Sequence, residues 1–205
     1  MKIAVFASGT GSVFQSIVSS GISVDVVVTD RPCGAEELAE SYGISACRVA
    51  RRDFDGSFDR AAYTDQVVAR CRDYSIDLVV LAGFGTVLAS SFFEPYGKRV
   101  LNTHPSLLPA FPGWHAVRAA LEYPVQITGC SVHVVVPEVD AGPLLAQESV
   151  RVLPGDDEAR LHERIKSMER VLYPKVIRAF ADSLERLGEP DQAISEVRRL
   201  QLTAE

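Results

Sequence analysis

The chain alternates short, unbroken apolar runs with segments of helical periodicity. The runs "KIAVFA" (2–7), "VDVVVT" (24–29), "SACRV" (45–49), "DLVVLA" (77–82) and "RVLNT" (99–103) have the length and β-branched content of strands buried on both faces. Between them, "SVFQSIVSS" (12–20), "AEELAESYG" (35–43) and "SFDRAAYTDQVVARCRDY" (57–74) repeat apolar residues at helical spacing. Parallel strands need a crossover of about a dozen residues or more, so this alternation predicts an α/β fold with a doubly wound, mostly parallel sheet. Beyond residue 110 the pattern changes to a short helix (115–122), strands at 130–137 and 143–152, and a long helix at 156–188. Pro174 is expected to kink or divide that helix, because it has no N–H for the preceding turn. The last residues, 189–205, are polar with weak periodicity and are expected to form a loosely packed tail. A single domain over 1–188, in two parts meeting at 103/104, is the organisation these patterns imply.

Composition narrows the class without naming it. A length of 205 residues suits one domain, and 47% hydrophobic with 23% charged residues is ordinary for a folded globular chain. The net charge of −6 argues against a broad basic surface for nucleic acid and leaves room only for a local anion site. Cys33, Cys47, Cys71 and Cys130 lack metal-ligand spacing and read as reduced, mostly buried thiols, with no metal and no disulfide expected. The N-terminus reads as a first strand rather than a signal peptide, and no apolar run approaches ~18 residues. The expectation is a cytoplasmic protein without a membrane contact.

Three stretches could carry chemistry. In "FASGTGSVFQSIV" (6–18), Gly9 and Gly11 permit close backbone approach, Ser12 can cap the following helix, and the free N–H groups there offer an anion site. The stretch matches neither the dinucleotide fingerprint nor the P-loop, and a tight turn without a ligand would look the same. In "NTHPSLLP" (102–109), Asn102 and His104 leave the end of a strand two residues apart, so both side chains share one face. Strand carboxyl ends are where open α/β sheets collect ligands, and Pro105 and Pro109 stiffen the chain beyond. In "VPEVDAGP" (136–143), Asp140 precedes a turn. It serves either as an Asx-turn residue or as a carboxylate that supports a protonated His104 in acid–base work. His133 lies inside a strand as a structural or supporting group, His115 opens a helix, and His162 is expected on an exposed helical face.

Taken together, "NTHPSLLPAFPG", "GCSVHVVVPEVDAGPLLAQ", "SGTGS", "DLVVLAGF" and "ERIKSMERVLYP" resemble the folate-dependent formyltransferases over nearly the whole chain. The resemblance implies a Rossmann-like fold with a phosphate-binding part in 1–103 and a catalytic, folate-binding part in 104–188. It implies formyl transfer from 10-formyltetrahydrofolate to the amine of glycinamide ribonucleotide in purine synthesis, with Asn102, His104 and Asp140 catalytic. Gly11, Ser12 and Val13 would take the substrate phosphate, and Lys166, Ser167, Met168 and Glu169 its glycinamide end. The folate would meet Arg60, Gly85, Thr86, Val87, Leu88, Asn102 and the segment Val136, Pro137, Glu138, Val139 and Asp140. The resemblance also implies a cis Leu108–Pro109 bond and a monomer or homodimer. Two departures stand out: Val13 replaces the usual Asn, and Gly85-Thr86 replaces the usual Met-Arg, which predicts a more flexible folate loop with one fixed charge missing. A formyltetrahydrofolate hydrolase using the same trio, or a non-catalytic folate- or nucleotide-binding module, is the alternative.

Overall fold

The computed structural model describes residues 1–53 and 55–204, which fall into two compact units, Met1–Val100 and Leu101–Glu205. The first holds β1 (Ile3–Ala7), α1 (Ser12–Ser19), β2 (Val26–Thr29), α2 (Gly34–Ser41), β3 (Ser45–Arg48), α3 (Arg60–Asp73), β4 (Leu78–Leu81), a 3₁₀ turn at Ser90–Phe92 and α4 (Phe93–Tyr96). Its strands follow the order β3-β2-β1-β4, and every pair is parallel. The chain winds outward from β1 to β3 and returns on the other side of β1 to lay down β4. That reversal makes the carboxyl ends of β1 and β4 the switch point at which an α/β sheet opens a crevice. Every residue of β1 and β2 is buried, at roughly 1.5–3 kcal/mol for each valine-sized side chain.

β3 differs from the buried strand expected of "SACRV". Ser45, Ala46 and Arg48 are exposed because β3 is an edge strand, and a charged residue there discourages pairing with another chain. The 3₁₀ turn and α4 have too few residues to display a period. Phe92 holds them in place, stacked on Tyr96 at 5.0 Å and edge-on to Phe6 at 6.0 Å.

The second unit comprises most of β5 (Val100–His104), then α5 (Ala116–Glu122), β6 (Ile127–Val134), β7 (Leu144–Arg151), α6 (Glu158–Leu187) and α7 (Pro190–Leu200). Its strands run β5-β6-β7 with antiparallel pairing. The boundary falls after Val100, three residues before the 103/104 division expected. α6 starts on an Asp157 cap that accepts the Arg160 N–H at 2.8 Å and ends at Gly188, where φ is 75°. It buries Leu161, Ile165, Leu172, Tyr173, Val176, Ile177 and Phe180. The helix is not divided at Pro174. That residue is itself buried within one 30-residue element, and tertiary packing of this apolar stripe outweighs one missing hydrogen bond.

The expected loose tail is also corrected, because residues 190–200 form α7. Pro190 sits in the first turn, where its missing N–H costs nothing. Ala193, Ile194 and Val197 recur at helical spacing and are buried. Arg186 pairs with Glu196, Lys175 Nζ donates to the Thr203 carbonyl at 3.0 Å, and the Glu148 carboxylate accepts the Ala204 N–H at 2.8 Å. Glu205 lies outside the described residues. Among the described residues, no helix is long and apolar enough to cross a membrane.

Candidate active site

In the second unit, β5 and β6 align the polar cluster. Antiparallel register sets Asn102 opposite His133 and His104 opposite Ser131. Asn102 and His104 share a face because strand side chains alternate. His104 is 5% exposed and His133 1%, so their ring nitrogens must find partners within the protein. His104 Nδ1 lies 3.3 Å from Asp140 Oδ2, and its Nε2 meets the Phe111 carbonyl at 2.8 Å. With two acceptors facing it, a doubly protonated ring is fully satisfied. His133 Nε2 lies 3.2 Å from Asn102 Nδ2 and 3.5 Å from Asp140 Oδ1. Unprotonated, that nitrogen accepts from the Asn102 amide; protonated, it donates to Asp140.

Asp140 is thus clasped between two histidines, and its Oδ2 also accepts the Gly113 N–H at 2.8 Å. Its φ of 55° is left-handed, a conformation that costs of order 1–3 kcal/mol in a non-glycine residue unless its surroundings enforce it. Burial pushes the carboxyl pKa up, but the His133 and Gly113 hydrogen bonds and the charges of His104 and His133 outweigh it and hold it below the usual 3.8.

The "HPSLLP" loop is fastened by more than its prolines. Ser131 Oγ donates to the Ser106 carbonyl at 2.7 Å and accepts the Leu108 N–H at 2.9 Å. Gln147 Nε2 donates to the Leu108 carbonyl at 3.0 Å. The Leu108–Pro109 bond is cis. None of Phe111, Gly113, Ser131 and Gln147 stood out in the sequence, since each acts through a cross-strand or loop contact. His133 was visible only as a polar residue in an apolar strand.

Glu169 is 4% exposed and accepts the Thr103 hydroxyl at 3.0 Å. Thr103 alternates with Asn102 and His104 along β5, so the structure does not bring Glu169 into the Asn102–His104–Asp140 cluster. Burial pushes the Glu169 carboxyl pKa up, more than the Thr103 hydrogen bond, Lys166 and Arg170 pull it down. Lys166, Ser167 and Met168 are half-buried beside it on α6. Val136 is half-buried, whereas Pro137, Glu138 and Val139 are exposed. His162 is half-buried rather than exposed.

In the first unit, the Gly11 turn and the 85–88 loop sit at the two strand ends of the switch point. Gly11, not Ser12, is the residue before the first turn of α1. Its φ is 81° and no side chain caps the helix, so the first N–H groups of α1 remain available for an anion. A Cβ at position 11 would meet Ala35 Cα at 3.0 Å. The Val13 side chain is buried, which turns its contribution into a backbone one.

The Gly85-Thr86 loop is tied down rather than loosened. The Gly85 N–H donates to Ser8 Oγ at 2.6 Å, and Thr86 Oγ1 donates to Asp30 Oδ2 at 2.7 Å. Asp30 is fully buried and also holds the half-exposed Arg31 through two hydrogen bonds. A fixed cation therefore stands next to the carboxylate that anchors the loop. Val87 is exposed, Leu88 half-buried, and Arg60 exposed at the start of α3.

Hydrogen-bond donors held against a buried carboxylate at a strand end suit attack on a carbonyl, so fold and cluster define an α/β enzyme of the acyl-transfer kind. The Formyl transferase family matches residues 1–177, and the chain belongs to that family. It is similar to the phosphoribosylglycinamide formyltransferase of Mycobacterium tuberculosis H37Rv, with 42% identity over 185 residues covering 88% of this chain and 85% of that one. The protein of the same name from Escherichia coli K12 is 37% identical over 194 residues, covering 92% and 91%. Among solved structures, glycinamide ribonucleotide transformylase 1 from Symbiobacterium toebii superposes with a TM-score of 0.83 at 36% identity, covering 89% of this chain and 88% of that one. Family membership implies a folate-derived formyl donor. Among the described residues, no group of three or more His, Cys, Asp or Glu side chains could hold a metal ion.

Proposed function

We propose that the chain transfers a formyl group from 10-formyltetrahydrofolate to the primary amine of glycinamide ribonucleotide, giving formylglycinamide ribonucleotide and tetrahydrofolate in purine synthesis. The observation that carries this reading is the Asn102–His104–Asp140 cluster in a chain of the formyl transferase family. The amine lone pair attacks the formyl carbon, and the carbonyl oxygen becomes an oxyanion. Asn102 Nδ2 and protonated His104 donate to that oxygen. His104 reaches it by exchanging the Phe111 carbonyl, its partner here, for the substrate. Asp140 keeps the imidazolium favourable; as the oxyanion collapses, the carbon–nitrogen bond to tetrahydrofolate breaks, and the proton given up by the attacking amine ends on that departing nitrogen.

The same reading assigns the substrate phosphate to the amides of Gly11, Ser12 and Val13, and the glycinamide end to Lys166, Ser167, Met168 and Glu169. The folate belongs to Arg60, the loop Gly85–Leu88, Asn102 and the segment Val136–Asp140. The protein works in the cytoplasm as a monomer or homodimer, without nucleic acid.

The test follows tetrahydrofolate release from 10-formyltetrahydrofolate with and without glycinamide ribonucleotide. Amine-dependent release is expected. Release without the amine would identify a hydrolase, and no release would leave a binding module.

A further inference from the structure

The three strands of the second unit set three polar residues in one row. Antiparallel register places Ser131 opposite His104 on one side and opposite Gln147 on the other, and directly opposed residues share a face of the sheet. Gln147 lies outside the Asn102–His104–Asp140 cluster and is itself exposed. Its amide nitrogen nevertheless reaches two buried residues, donating to the Leu108 carbonyl at 3.0 Å and to Ser131 Oγ at 2.9 Å. Leu108 is buried and Ser131 completely so. A carbonyl can only accept, so this place requires the amide nitrogen of Gln147 and not its oxygen.

Donors and acceptors then fix the direction of the serine proton. A hydroxyl has one proton to give and two lone pairs to fill. The Leu108 N–H takes one lone pair of Ser131 at 2.9 Å, and Gln147 takes the other. The proton is left to the Ser106 carbonyl at 2.7 Å. Gln147 therefore completes Ser131 and holds Leu108 at the same time.

The loop gripped in this way closes on the ring of the residue from which it starts. The chain leaves β5 at His104, and the Ser106 N–H turns back to the His104 carbonyl at 2.9 Å. Ser106 Oγ donates to the Ala110 carbonyl at 2.5 Å, and the next carbonyl, that of Phe111, arrives 2.8 Å from His104 Nε2. Phe111 has a φ of 52°, a left-handed conformation that a phenylalanine keeps only where its surroundings enforce it. With Asp140 at Nδ1 and Phe111 at Nε2, the His104 ring is held from both ends. A slack loop releases one of the two ends, and the ring is then free to turn.

We propose that Gln147 is a positioning residue for the reaction. Acting through Ser131 and the Leu108 carbonyl, it keeps the 105–111 loop taut, so that the His104 ring is already oriented when substrate replaces the Phe111 carbonyl. Preorganised donors of this kind spend nothing on reorientation at the moment of reaction. The catalytic consequence rests on the preceding reading of His104, whereas the orientation of its ring does not.

The test uses Gln147→Met, which keeps the length and removes both donors, and Gln147→Glu, which keeps the shape and presents only acceptors when ionised. In both, kcat is expected to fall roughly 10-fold, short of the ~100-fold that a 1 Å misplacement costs, while KM for each substrate stays within about 2-fold. The ring nitrogens of all four histidines are followed by NMR of protein labelled with ¹⁵N-histidine, assigned against His104→Ala. The His104 signal should move in the Gln147 variants, and those of His115 and His162 should not. A Gln147→Met protein with wild-type kcat would overturn the proposal, as would a loss of kcat with the His104 signal unmoved, which would leave Gln147 a structural residue of β7. Absence of turnover in the wild type would count against the proposed reaction alone, since the ring signals read the action of Gln147 on His104 without it.

Discussion

At the scale of single residues, position along β5 decides what each side chain can do. His104 faces a carboxylate through Nδ1 and a carbonyl through Nε2, which suits it to carry a positive charge toward a developing oxyanion. His104→Ala should reduce kcat on the order of 100- to 1000-fold with unchanged circular dichroism. A variant turning over at near wild-type rates would remove His104 from the mechanism. Asp140 makes a further prediction through acid stability. Its folded pKa lies below the unfolded 3.8, so its contribution is fully present above the unfolded value and is lost as pH falls through the folded one. Asp140→Asn should flatten the loss of stability below about pH 4 in chemical denaturation at stepped pH. Glu169 has the opposite sign. Its folded pKa is raised above 4.5, so its ionisation penalty is absent in acid and grows as pH rises through the folded value. Glu169→Gln should therefore raise the melting temperature at neutral pH and raise KM for the amine substrate. An unchanged KM would reduce Glu169 to a structural partner of Thr103.

At the scale of elements, close backbone approach fixes the turns that carry these residues. Gly142 follows the Asp140 turn, and a Cβ there would lie 1.8 Å from the Val134 carbonyl oxygen. Since no flexible side chain can yield, Gly142→Ala should destabilise the protein by about 3 kcal/mol or more, read as a shift in urea midpoint. The Gly85-Thr86 loop teaches a related lesson. From sequence it read as a looser loop, yet its two anchors lie on other segments, at Ser8 and Asp30. Thr86→Val keeps the shape, removes one anchor and leaves a buried carboxylate short of a partner. It should cost about 1–3 kcal/mol by denaturant unfolding and raise KM for the formyl donor. The alternation of strands and helices through residue 104 was legible because buried strands are continuous apolar runs. Exposure of β3, and the anchoring of loops by distant side chains, depended on neighbours that periodicity does not report.

At the scale of the whole molecule, the C-terminal segment changes the picture most. Residues 190–200 looked too polar to pack, but the three apolar residues of one helical stripe are enough when a partner face is waiting. Truncation after Gly188 should lower the melting temperature by on the order of 10 °C in scanning calorimetry. An unaltered transition would mean that α7 merely rests on its neighbours. The sequence by itself determined the α/β class, the glycine turn after β1 and the strand exit with Asn102 and His104, because each follows from period, chain stiffness and local backbone freedom. Only the tertiary structure decided that Asp140 stands between His104 and His133, that Glu169 lies with Thr103 instead, and that Ser131 and Gln147 hold the loop. Those contacts join residues from about 7 to 66 positions apart, and antiparallel register and burial choose such partners, not local pattern.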